Sequence, residues 1–250
     1  MLLEGKTAVI TGCNRGIGLS ILKKFSENNC NIIACNKTNN NEEFITVCDE
    51  LKKKHNIFIK NIQLDLSNHE QVKDVTNTIL LKEENIDILV NNAGINQTSL
   101  IQMTSIKKVK EIFDVNFFSP YLLTQSILKK MIKNKKGSII NISSSAVRDC
   151  PPGRVAYAAA KSSLEKFSET LSKECGSFNV RSNVISPGLI QTDMLNSSMN
   201  EKEKNTIINN ISLRKLGVPS NVSDLALFLA SDNSDYITGQ ILNIDGGLSI

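Results

Sequence analysis

Seven short apolar, β-branched runs alternate with longer amphipathic segments, and that alternation constrains the fold more than any other feature. Residues 6–11, 31–35, 57–64, 86–91, 137–143, 179–186 and 240–244 are predicted strands, with helices predicted over 16–29, 42–55, 68–82, 105–134, 156–176 and 221–230. Strands that are apolar throughout and separated by helices imply a parallel sheet, because each right-handed crossover must lay its helix on one face or the other. The expectation is α/β: a single doubly wound Rossmann-type domain, a seven-stranded parallel sheet with helices on both faces, spanning residues 1–250. In this arrangement residues 1–135 form a cofactor half and 136–250 a catalytic and substrate half. The polar stretch 192–212 interrupts the alternation where ligands bind such sheets, and reads as a substrate lid or as a plain surface excursion.

Composition narrows the partners. The 29 basic and 25 acidic residues are interspersed, with no basic arm or stripe, so the +4 formal charge does not point to nucleic acid. The six cysteines have no C-x-x-C spacing and read as free thiols in a reducing compartment; His55 and His69 have no second ligand at zinc-site spacing, so no metal site is expected. No apolar stretch approaches the roughly 18 residues of a membrane span. A cytoplasmic protein with a small-molecule ligand is expected.

The first strand runs into Thr11-Gly12-Cys13-Asn14-Arg15-Gly16-Ile17-Gly18, directly before a helical pattern. Glycines allow a tight strand-to-helix turn and close approach of a pyrophosphate, and the helix N-terminus offers unpaired N–H groups. At the end of the second strand, Ile33-Ala34-Cys35-Asn36-Lys37-Thr38 carries no carboxylate to bind the ribose hydroxyls of NAD. Lys37 and Arg15 are the two cations placed to meet a 2′-phosphate, which favours NADP(H); the alternative is that both are solvated surface cations. No Gly-Lys-Ser/Thr follows the loop, which excludes a P-loop hydrolase.

Tyr157 and Lys161, four apart in Tyr-Ala-Ala-Ala-Lys, share one helix face. A phenol with an ordinary pKa of about 10 needs roughly 4 kcal/mol of differential stabilisation to titrate three units lower, and a neighbouring ammonium is a natural source. The preceding strand ends Ser143-Ser144-Ser145, any of which is within reach of a substrate carbonyl on these grounds alone.

These motifs, with Asn91-Asn92-Ala93-Gly94 after the fourth strand and Pro187-Gly188 after the sixth, resemble the short-chain dehydrogenase/reductase family over nearly the whole chain. The resemblance implies an enzyme that reduces a ketone to a secondary alcohol with NADP(H). It selects Ser144 by its distance from Tyr157, and assigns Asn116 to a water that links Lys161 to solvent, so the implied catalytic set is Asn116, Ser144, Tyr157 and Lys161. The implied cofactor-binding set is Gly12, Asn14, Arg15, Gly16, Ile17, Gly18, Asn36, Lys37, Asp65 and Leu66 from the first half, then Asn92, Ala93, Gly94, Tyr157, Lys161, Pro187, Gly188, Ile190 and Thr192. Asp65 is assigned to the adenine, and Ile190 and Thr192 to the nicotinamide carboxamide.

Within the family the pattern is most similar to the 3-oxoacyl-acyl-carrier-protein reductases of fatty acid synthesis, including the ending Tyr236-Ile237-Thr238-Gly239-Gln240 with Asp245-Gly246-Gly247. An acidic carrier protein calls for a basic surface near the site entrance, and Lys129, Lys130, Lys133, Lys135 and Lys136 are the candidates; Phe178 replaces a second basic position of those reductases. Reduction of another small carbonyl, such as a sugar derivative in surface-polysaccharide or secondary metabolism, is the alternative, and a non-catalytic NADP-binding regulator a third. The resemblance also implies a homotetramer or homodimer built on the two long helices.

Overall fold

The computed structural model describes residues 1–38, 41–82, 85–196 and 206–248. Seven strands form one parallel sheet: β1 (Thr7–Thr11), β2 (Asn31–Asn36), β3 (Ile59–Gln63), β4 (Ile88–Asn91), β5 (Gly137–Ile142), β6 (Val180–Pro187) and β7 (Ile241–Ile244). Their spatial order is β3-β2-β1-β4-β5-β6-β7, so the winding reverses between β1 and β4, where a crevice opens at the carboxyl ends.

Around the sheet lie α1 (Gly16–Ser26), α2 (Glu42–His55), α3 (His69–Lys82), α4 (Ile106–Phe113), α5 (Ser119–Asn134), α6 (Ala146–Asp149), α7 (Val155–Cys175), α8 (Asp193–Asn196) and α9 (Pro219–Ala230). The pleat of β1 shows why both faces are covered. Ala8 and Ile10 point into a core with Ile21, Phe25, Val222 and Leu229 from α1 and α9, while Val9 points into another with Leu123, Ile127, Met131 and Leu171 from α5 and α7. Burial of a side chain such as Phe25, fully enclosed, contributes about 1.5–3 kcal/mol.

Several boundaries differ from expectation for local reasons. The edge strand β3 is shorter than 57–64, and β4 begins at Ile88 rather than 86. Helix α7 starts at Val155, with the Gln97 side chain accepting from the Ala156 and Tyr157 N–H groups at 2.8 and 3.3 Å. The predicted α9 start at 221 moves to Pro219, at the first turn where its missing N–H costs nothing. The run predicted as one α-helix over 105–134 is helical but interrupted by a π-turn, Asp114–Phe118. Asn116 lies inside that turn and donates to the Ile112 carbonyl at 3.0 Å, a side-chain insertion of the kind that widens a helix.

Asn41 caps α2 by accepting from Phe44 N–H at 3.0 Å, whereas Asn39 and Asn40 lie outside the described residues, as do 197–205 of the polar stretch 192–212. The lysine run occupies the end of α5 and its left-handed C-cap Lys135. That end leads directly into Gly137, the start of β5, so it lies at the amino edge of the sheet. The expected basic surface beside the site entrance is therefore not built by this subunit around its own cleft. A 16-residue α5 spans about 24 Å at 1.5 Å per residue, and the crevice is at the other end.

Candidate active site

A cleft of about 1050 Å³ occupies the carboxyl edge of the sheet. One wall is the glycine loop after β1, with Gly12, Asn14, Arg15, Gly16, Ile17 and Gly18. The floor carries Asn92, Ala93 and Gly94 after β4. The opposite wall carries Ser144, Tyr157 and Lys161, and Pro187, Gly188, Ile190 and Thr192 close one side.

The loop is locked before any ligand arrives. Thr11 Oγ1 accepts from the Asn92 and Ala93 N–H groups, both at 3.0 Å, and the Asn92 amide donates to the Thr11 and Gly12 carbonyls at 2.9 and 3.1 Å. Gly12 adopts φ +70°, and a Cβ there would stand 2.9 Å from Ala93 Cα; one on Gly18 would stand 2.0 Å from the Gly12 carbonyl oxygen. Only glycine lets strand, loop and helix close this tightly. Arg15, at the N-cap of α1, makes no side-chain cap, and the first turn holds no acidic residue. Its N–H groups thus face the cleft with the positive end of the helix dipole, which suits a pyrophosphate.

The residues at the end of β2 are arranged differently. Asn36 is buried and turned inward: its Oδ1 accepts from Cys13 N–H at 2.8 Å and its amide donates to Asn61 Oδ1 at 3.2 Å. It braces the glycine loop from behind. Lys37 forms an ion pair with Asp65 at 3.1 Å, and Asp65 also accepts from Ser67 N–H and Oγ at 2.9 and 2.7 Å. Burial pushes the Asp65 carboxyl up, but the Ser67 bonds and Lys37 outweigh it and hold it below its ordinary value. Leu66 is buried and its carbonyl accepts from Ser119 Oγ at 2.5 Å. Arg15 is exposed.

Tyr157 stands on the first turn of α7, half-buried in the cleft wall. Burial raises its phenol above the ordinary value, while a hydrogen bond with Ser144 and the guanidinium of Arg154 pull it back. Ser144 Oγ also accepts from Ala146 N–H at 3.2 Å. Lys161, one turn further along α7, is 3% exposed and donates to the Ile142 carbonyl at 2.7 Å. Burial lowers its ammonium to about 8, opposed by Glu165. Arg154 thus adds a second cation beside Tyr157, in addition to the Lys161 that the sequence places one turn along the same helix.

Asn116 anchors the loop after β4. Its amide donates to the Ile95 carbonyl at 2.9 Å, and its Oδ1 accepts from Ile95 N–H at 3.2 Å. Both amide hydrogens are occupied by Ile95 and Ile112, and Oδ1 lies so close to Gly94 that a Cβ there would stand 2.7 Å from it.

Sequence reasoning missed Gln97, Arg154 and Glu165. Arg154 sits three residues before Tyr157, one helical turn, which was a usable signal. Glu165 continues the four-residue spacing of Tyr157 and Lys161, but its bond to Ser143 carried no signal, and Gln97 had none, because those partners are distant in the chain.

The matching family model, described as Enoyl-(Acyl carrier protein) reductase, covers residues 12–249. The 3-oxoacyl-[acyl-carrier-protein] reductase FabG of Chlamydia trachomatis serovar D is 39% identical over 248 residues, 99% of each chain; that of Thermotoga maritima is 35% identical over the full length of both. Among solved structures, 4-hydroxyisoleucine dehydrogenase complexed with NADH superposes with a TM-score of 0.89 at 33% identity, over 98% of this chain and 99% of that one. A blue fluorescent protein from a metagenomic library, in complex with NADPH, superposes at 0.91 with 27% identity over all of both. The fold, the cleft at its switch point and these full-length matches define a nicotinamide-dependent oxidoreductase of the Rossmann class. The chain belongs to the short-chain dehydrogenase/reductase family, as an enzyme acting on C=O or CH–OH groups.

Proposed function

We propose that this enzyme uses NADPH to reduce a 3-oxoacyl thioester, presented on an acyl carrier protein, to the 3-hydroxyacyl thioester. One observation carries the reading: the hydroxyl side chains of Ser144 and Tyr157 line the same cleft, together with Lys161 and the glycine loop. Two hydroxyl donors converging on one point suit a single oxygen atom that becomes an alkoxide, which is carbonyl reduction. Reduction of a carbon–carbon double bond would require the proton at a carbon instead. The curated relatives at 39% and 35% identity are named as 3-oxoacyl-acyl-carrier-protein reductases, which supports the thioester.

The cleft fits the dinucleotide: its lining runs from the uncapped N-terminus of α1 to Tyr157, and Thr192 Cγ2 stands within 3.3 Å of where a Gly16 Cβ would be, so a side chain at Gly16 would crowd the cleft. When bound, NADPH supplies the hydride. Gly12, Asn14, Gly16, Ile17 and Gly18 cradle its pyrophosphate, Asn92, Ala93 and Gly94 back its ribose, and Pro187, Gly188, Ile190 and Thr192 flank the nicotinamide. Arg15 and Lys37 meet the 2′-phosphate, with Asn36, Asp65 and Leu66 shaping the adenine end. Tyr157 Oη gives its proton to the carbonyl oxygen, Ser144 Oγ donates a hydrogen bond to the same atom, and Lys161 replenishes and polarises Tyr157. Asn116 holds the loop and offers Oδ1 to a water.

The cofactor half 1–135 and the catalytic half 136–250 follow from the same reading, and of the stretch 192–212 the described residues Thr192, Asp193, Leu195, Ile207 and Asn210 line the cleft, which favours a lid role over a plain surface excursion. Among the described residues no helix is long and apolar enough to cross a membrane, and we place the enzyme in the cytosol. Assembly into a homodimer or homotetramer uses α5 and α7, where Phe118 and Tyr121 are exposed and Phe117 and Phe167 extend the aromatic surface.

The test is turnover of NADPH and, separately, NADH with an acetoacetyl thioester and with unconjugated ketones and keto-sugars. NADPH-dependent turnover of the thioester supports the reading. Turnover confined to another carbonyl reassigns the substrate, and cofactor binding without turnover on any carbonyl makes the chain a binding protein.

A further inference from the structure

Helix α7 presents Tyr157, Lys161 and Glu165 at intervals of four, one below another on a single face. Two of the three reach the end of β5. Lys161 donates to the Ile142 carbonyl at 2.7 Å, and Ser143 Oγ donates to Glu165 Oε1 at 2.5 Å. The flanking peptides are tied to the end of β6: Ser143 N–H to the Ile185 carbonyl and Ser145 N–H to the Pro187 carbonyl, both at 2.8 Å. Ser144 is therefore suspended between two fixed points, and the Glu165 bond holds the side chain of the first.

A carboxyl in this place is not explained by stability. Glu165 is 8% exposed, and burying a charged group costs more than packing an apolar side chain of similar volume. Burial raises its carboxyl, and Glu169 adds to that; the Ser143 bond, Arg148 from α6 and Lys161 oppose it. The arrangement makes sense if the carboxyl serves the reacting groups above it.

We propose that Glu165 is a positioning residue for carbonyl reduction: through Ser143 it fixes the strand end that aims Ser144 at Tyr157, and its charge supports the neighbouring Lys161 ammonium. The inference rests on the carbonyl reductase reading, though not on the thioester as substrate. Glu165 touches no part of the cleft itself and acts through its two neighbours.

Three full-length variants test it, each measured for kcat, KM, NADPH binding by fluorescence, pH profile and Tm on whichever carbonyl the wild-type enzyme reduces. Glu165→Leu and Ser143→Ala are expected to lower kcat about 10- to 100-fold, the order of loss from a misplacement near 1 Å, with NADPH affinity within about twofold of wild type. Glu165→Gln keeps an acceptor for Ser143 and is expected to restore kcat to within about threefold, while moving the alkaline limb of kcat/KM to lower pH because Lys161 loses its carboxylate neighbour. Wild-type kcat and an unmoved pH limb in Glu165→Gln and Ser143→Ala overturn the proposal, whether or not Glu165→Leu folds. So does a loss in Glu165→Gln as deep as in Glu165→Leu with a matching fall in Tm, which marks a structural role alone. A wild-type enzyme that binds NADPH yet reduces no carbonyl removes the reductase reading and this inference together, a result distinct from active wild type with indifferent variants.

Discussion

Lys161 Nζ lies 2.7 Å from the carbonyl oxygen of Ile142, two residues before Ser144 in β5's exit, so the buried ammonium is moored to the strand that carries the carbonyl-binding hydroxyl. Its protonation is consequently set by burial, which brings it to about 8. Below that value Lys161 is an ammonium; as pH rises through it the charge is lost, along with its support for proton delivery. The profile of kcat/KM for NADPH should therefore fall on an alkaline limb near pH 8, and Lys161→Met should abolish the limb together with most of the activity. Steady-state rates across pH 6–10 read this directly; a flat profile through pH 9 contradicts it.

Tyr157→Phe removes the proton assigned to transfer to the carbonyl oxygen while keeping the ring that packs in the wall. Turnover is expected to drop by about 10²- to 10⁴-fold, the usual range for general acid catalysis, with NADPH binding nearly unchanged. Fluorescence titration beside turnover separates the two, and loss of binding to match the loss of rate would argue against the acid role.

Arg154 pulls the Tyr157 phenol down against its burial. In Arg154→Met the phenol should titrate higher than in the wild type, seen as an upward shift of tyrosinate absorbance in the apo enzyme. The comparison variant Tyr121→Phe, on the outer face of α5, leaves that component in place.

At the adenine end, Lys37 is already paired with Asp65 at the exposed surface, where an ion pair is worth little, so a 2′-phosphate can recruit the lysine at small cost. Arg15→Ala and Lys37→Ala should each reduce the preference for NADPH over NADH by about 10-fold or more, since a hydrogen bond to a charged group contributes roughly 1.5–3 kcal/mol. The ratio of the two kcat/KM values is the measurement, and an unchanged ratio in the double variant would move phosphate recognition elsewhere.

Gln97 accepts from two N–H groups at the start of α7, Ala156 and Tyr157, and donates to the Ser99 carbonyl and Thr104 Oγ1 at 3.0 and 2.9 Å. Gln97→Ala strands both helix donors and is expected to cost about 1–3 kcal/mol of stability, read by denaturant unfolding, with kcat lowered because Tyr157 rides on that first turn.

Local pattern alone was enough to reveal the strand-helix alternation, the seven strands and the parallel sheet, because short continuous apolar runs and amphipathic runs of period 3.6 are properties of neighbouring residues. The glycine loop and the Tyr157–Lys161 pair were legible for the same reason: a tight turn and one helix face are both defined within eight residues. The π-turn at Asp114–Phe118 was not, since it depends on Asn116 reaching both Ile112 and the distant Ile95. Only the tertiary structure turned Asn36 inward under the glycine loop, paired Lys37 with Asp65, capped α7 with Gln97 and set Glu165 against Ser143. It also carried the lysine run of α5 to the edge opposite the cleft. Each of these is a contact between segments that the sheet brings together, and a side chain's partner across such a contact is decided by packing and burial, which no stretch of sequence encodes by itself.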